Sequence, residues 1–158
     1  MLSRITAEDF NSSITELQEK QPTIGSLLFT LQTLCEHPHA FFLSLQVVWV
    51  LWKRMLFLHP ELDDRKLEID RLKTWIGKRN RMVLYLCGEE EIEDVIQYLP
   101  THFSNLAQGK LLNYIFNRVL NQDLNFSVEP STRLKIAICL FGFIDALDEL
   151  AGDLCQSS

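Results

Sequence analysis

Glycine and proline are scarce, six and five among 158 residues. An all-β chain would need a turn about every ten residues and more of both, so the shortage points to helices. Disorder is excluded from the other side. Hydrophobic residues make 47% of the chain and charged ones 23%, ordinary values for a sequence that folds. The four cysteines, Cys35, Cys87, Cys139 and Cys155, include no closely spaced pair and are predicted to be free, mostly buried thiols. Positive charge is also short. Fifteen Lys and Arg stand against twenty-one Asp and Glu, a net charge of −6 and the wrong sign for binding nucleic acid over the whole surface. The first nine residues contain Glu8 and Asp9 and no apolar run, which argues against a secretory signal and for a cytoplasmic location. A Gly-rich phosphate loop, a nucleophile elbow, a His-Glu-x-x-His pair and a dinucleotide fingerprint are all missing.

What the chain does have is helical periodicity punctuated by proline. Pro22, Pro38, Pro60, Pro100 and Pro130 fall between apolar segments, where helices begin or end. Phe10, Ile14 and Leu17 mark a helix over about 7–20, and Leu27, Leu28, Leu31, Leu34 and Cys35 another over about 23–36. Further helices are predicted over about 39–58, 89–99 and 103–121, and from after Thr132 to about 154. A narrow seam of Leu62, Ile69, Leu72 and Ile76 marks a helix from Pro60 that Gly77 should end or kink. The short apolar run Met82–Cys87 fits helix or strand equally. Residues 123–130 read as a loop and 156–158 as a frayed end.

Two of these helices are apolar all round. Ala40–Trp52 passes without a charge, and Leu134–Leu147 has only Lys135 and Asp145 as exceptions. A membrane span needs about 18 or more such residues, and Lys53-Arg54 interrupts the first run. No transmembrane segment is therefore predicted. A helix apolar on every side is otherwise a central core helix, and a domain of this size can enclose one and part of a second. The fold class is all-α: one domain over 1–158, with six or seven helices around one or two strongly apolar ones.

Candidate sites follow from clustered charge. Arg71, Lys73, Lys78, Arg79 and Arg81 place five cations and no acid within 71–81, with Trp75 among them. If one helix closes at Gly77 and another opens near Asn80, free N–H groups and cations converge on a turn where phosphate or a partner's carboxylate can dock. Arg and Trp are also the types that dominate protein interfaces. The plainer alternative is a solvated turn whose cations pair with the acids at 89–94. Asp145, Asp148, Glu149 and Asp153 form a second cluster, a candidate face for a basic partner. Holding Mg²⁺ would need a matching set of carboxylates elsewhere. Cys35-Glu36-His37-Pro38-His39 joins a thiol to two imidazoles but falls short of the four ligands of structural zinc, and reads as a helix end. No metal or other cofactor is expected. Arg54 and His59 have the Arg-x4-His spacing of some all-helical ribonucleases, with Met55 where a polar residue is common.

The sequence thus carries more apolar helix circumference than one small body can enclose, and surplus apolar surface implies a partner. The expected function is non-enzymatic: protein–protein interaction of an adaptor, regulator, chaperone-like or inhibitor type, with self-association into a homo-oligomer such as a dimer. Nucleic acid is not expected as a partner. The alternative is an RNA- or phosphate-binding module, or a helical ribonuclease-type enzyme, built on the cationic turn.

Overall fold

The computed structural model describes residues 7–35, 38–88, 91, 109–120 and 129–156, and every regular element among them is helical. Three helices open the chain: α1 (Ala7–Lys20), α2 (Pro22–Leu34) and α3 (Pro38–Leu58). A 3-10 turn over Pro60–Asp64 and a short extended link lead to α4 (Ile69–Cys87). Then come α5 (Gly109–Ile115), which continues as π-helix over Phe116–Leu120, and α6 (Pro130–Gln156). Pro22, Pro38, Pro60 and Pro130 each open an element, where the missing N–H costs nothing and the fixed φ suits a first turn. The helix predicted over 89–99 (Glu91 apart), residues 103–108, Glu36, His37 and the loop over 123–128 lie outside the described residues.

Of the two strongly apolar helices, α6 is the enclosed one. From Ile136 to Ile144 every position is buried, because α2, α3, α4, α5, the π segment and the 3-10 turn all pack against it. The other, α3, is enclosed only in part. It buries one stripe, Ala40, Ser44, Val47, Val48, Leu51, Trp52 and Met55, against its neighbours. Its opposite side stays half or fully open, with Phe42 at 40% and Phe57 at 75% exposure. By length and composition alone α3 is apolar enough to cross a membrane, yet only a third of its most apolar window is buried. The physical reason lies in its neighbours. Phe10 of α1 packs edge-on to Phe42 and Trp49 at 5.6 and 6.2 Å, but α2, α6 and the 3-10 turn occupy only the inner side.

The stretch after Pro60 also departs from expectation. The helix predicted from 60 to 77 is a single 3-10 turn, then extended chain, then a helix that starts at Ile69 and runs unbroken through Gly77. The extended link is held by two buried polar side chains. Gln21 accepts a hydrogen bond from the Leu67 N–H at 2.9 Å and donates its amide to the Arg65 carbonyl, while Thr23 donates to the Leu67 carbonyl at 2.5 Å. Backbone groups that a helix would have paired internally are thus satisfied by Gln21 and Thr23 at the start of α2, which seats Leu62 and Leu67 in the core. Gly77 does not break α4, because an interior glycine costs only about 1 kcal/mol against alanine, less than the packing of Leu72 and Val83 on either side contributes. Met82–Cys87 is helix, closed by Gly88 at φ +46°, a backbone conformation that favours glycine.

Gln21→Ala should cost about 2 kcal/mol in urea unfolding, since the Leu67 N–H and the Arg65 carbonyl both lose their partner. Gln21→Glu should recover only part of that loss, because a carboxylate still accepts from Leu67 but cannot donate to Arg65.

Candidate functional site

The two charge clusters singled out in the sequence face each other. Arg71 reaches Asp153 at 2.7 Å and Glu149 at 3.5 Å. Trp75 donates its indole N–H to the same Glu149. Arg79 grips Asp145 through two parallel bonds, Nε to Oδ2 at 2.5 Å and Nη2 to Oδ1 at 2.9 Å, with both side chains only 12% exposed. Arg71, Trp75 and Arg79 are spaced four and four along α4, and so are Asp145, Glu149 and Asp153 along α6. The pairs ascend one helix as they descend the other, so α4 and α6 lie antiparallel with a ladder of charge-assisted bonds between them. Three members of the candidate anion site and three of the candidate acidic face are therefore engaged with one another. Asp148, on the same helix, is half-buried.

The turn on which the anion site was predicted is absent, because α4 is continuous and offers no free N–H groups at Gly77. What remains of the cluster is its outer side. Lys73, Lys78 and Arg81 are exposed and form no ion pair among the described residues. Lys78 lies over the Trp75 ring at 4.2 Å, a cation–π contact that covers the indole from outside. Leu84 and Tyr85, further along, are 62% and 88% exposed.

Lys73 is also part of a feature that sequence reasoning missed. Between α2 and α4 runs an open groove of about 560 Å³. Its α2 wall is Gly25, Ser26, Phe29 and Thr30, its α4 wall Ile69, Lys73 and Ile76, and Leu27 and Leu72 contribute from the core side. Phe29 stands at the edge with 71% of its surface in water. One signal was available: α2 has no charged residue over 22–34, yet its stripe of Leu27, Leu28 and Leu31 leaves Phe29 on the other side.

The remaining candidates do not converge. Arg54 stacks over Phe57 at 5.5 Å, whereas His59 faces Glu61 at 3.7 Å. His39 is exposed and Cys35 is buried beside Ser44. No group of three metal-binding side chains occurs among the described residues. Burial pushes the Cys139 thiol up to about 11 and raises Cys35 as well, so neither holds an appreciable thiolate fraction at neutral pH. Compared with known protein families, with curated proteins and with solved structures, the chain finds no match.

Proposed function

We propose that this protein acts by binding protein, and that it associates with a second copy of itself through the outer face of α3. The observation that carries this reading is the open side of a 21-residue helix without a single acid. His39, Leu43, Gln46, Val50, Lys53 and Phe57 recur at steps of four and three, so they share one face, with Phe42 on its flank. In an antiparallel pair of such helices Leu43 meets the apolar stem of Lys53, and Gln46 meets Val50. No like charges then oppose one another, and the two faces are self-complementary, as a twofold interface requires. Leaving Phe42, Phe57 and Leu58 in water forfeits about 25 cal/mol for each Å² that a partner would cover.

The test is the mass in solution. The single chain is 18.4 kDa, and sedimentation across a wide concentration range should give a mass rising toward twice that value. Phe42→Asp with Phe57→Asp should weaken association about 30-fold or more, while the helical circular dichroism stays near that of the parent and stability falls by about 1 kcal/mol for the lost Phe10–Phe42 edge contact. A mass that stays at one chain throughout, or that rises equally in the double variant, would refute the proposal.

A further inference from the structure

We propose that Gln46 sets the register in which two copies meet, its amide pairing with the Gln46 amide of the second copy across the twofold axis. Self-association through α3 is the premise, and Gln46 is the side chain that makes it specific. From Ala40 to Trp52 only Ser44 and Gln46 are polar. Ser44 is buried and donates to the Ala40 carbonyl at 2.9 Å, so its hydroxyl is satisfied inside its own helix. Gln46 lies on the open side, half-buried, and forms no hydrogen bond among the described residues. An apolar residue there would continue the stripe from Leu43 to Val50. An amide covered only by apolar side chains instead loses its water without replacement, which is costly.

The chemistry of the group selects its partner. A primary amide carries a donor and an acceptor together, so two identical amides about a twofold axis can each donate to the other's carbonyl oxygen. Two carboxylates or two ammonium groups cannot. With Leu43 opposite Lys53, the axis passes midway between positions 46 and 50. The two Gln46 residues are then offset by four positions, about 6 Å along the helices. Each stem lies on Val50 of the second copy, and the amides meet at the axis. Sliding one helix by a turn breaks this pair. Leu43 then moves to Val50 or Phe57, contacts no less apolar than the one it leaves, so hydrophobic contact alone does not choose a register. A single polar position in an apolar seam does choose, at some cost in affinity. Direction follows from charge: a parallel pair would set Lys53 against Lys53, whereas the antiparallel one sets it against Leu43.

Cysteine pairing reads the register in the intact protein. Leu43→Cys is mixed in turn with Val50→Cys, Lys53→Cys and Phe57→Cys and oxidised, and linked peptides are identified by mass. The parent gives the background from the four native cysteines. Lys53→Cys should link about fivefold more than either of the others. Adding Gln46→Leu to each should spread the links over all three, while sedimentation shows association about fivefold tighter. Gln46→Glu should associate about tenfold more weakly than the parent at about pH 8, and approach it near about pH 5 as the facing carboxylates take up a proton. His39 and Lys53, the other titratable groups on this face, are common to both proteins, so the ratio cancels them. Three results would overturn the register assignment while leaving self-association standing: even links in the parent, links unchanged by Gln46→Leu, or Gln46→Glu as tight as the parent at about pH 8. A parent that keeps the mass of one chain removes the α3 reading as well.

Discussion

Gly142→Ala is expected to destabilise this protein by about 2–3 kcal/mol, although alanine is the better helix former by about 1 kcal/mol. A β-carbon at position 142 would stand 2.6 Å from Ile76 Cγ1 and 2.7 Å from both the Cα and the N of Ile76. The first of these atoms can swing aside, but the other two are backbone in the middle of α4. Relief requires moving the whole helix outward, against the most extensive helix–helix contact among the described residues and against the ion-pair ladder beside it. Gly77→Ala supplies the opposite sign. Nothing lies within 4 Å of a β-carbon there, so the same substitution one helix away should stabilise by about 0.5–1 kcal/mol. Urea denaturation of the two variants beside the parent decides it. A stable Gly142→Ala protein would mean that α4 and α6 do not cross at this closeness.

Removing one member of the Arg79–Asp145 pair should cost about 3 kcal/mol, more than a surface ion pair is worth. Both side chains are nearly enclosed, and the two parallel bonds satisfy the fork of the guanidinium with both carboxylate oxygens. Arg79→Ala strands Asp145 beside the buried wall of α6. Replacing both together with apolar residues of similar volume, Arg79→Met with Asp145→Leu, should return most of the loss, because no unpaired charge remains. A double-mutant cycle should therefore give a coupling of about 1–3 kcal/mol. Lys78→Ala and Lys73→Ala, on the open side of α4, should change stability by less than about 0.5 kcal/mol.

These two effects mark what sequence reading reaches and what it leaves. The all-α class and the edges of α1 to α3 follow from proline position and apolar periodicity, local properties of the chain. The charge clusters were legible as clusters but not as partners. Acids at 89–94 lie closer in sequence to the cations than those at 145–153 do, and only the antiparallel packing of α4 on α6 brings the distant set into register. The equal spacing of Arg71, Trp75 and Arg79 with Asp145, Glu149 and Asp153 is the trace that it left in the sequence. Gly77 misled because a glycine's effect depends on packing. The same residue type that suggests a break at 77 sits unbroken in a helix there, and at 142 it marks the closest approach of two helices. The start of α4 depends on Gln21 and Thr23, more than forty positions from the backbone they hold. The uneven fate of the two apolar helices is likewise tertiary: composition alone does not say that neighbours surround α6 and leave one side of α3 open.

Self-association depends on that open side. Covalent footprinting of the aromatic and aliphatic side chains, read by mass spectrometry on dilute and on concentrated protein, tests it directly. Phe42, Phe57 and Leu58 should label strongly at dilution, when single chains dominate, and become protected as concentration rises, while Phe29 stays labelled at both. If the α3 residues are already protected at the lowest concentration in a chain sedimenting at 18.4 kDa, or label equally at every concentration, the outer face of α3 is not an associating surface.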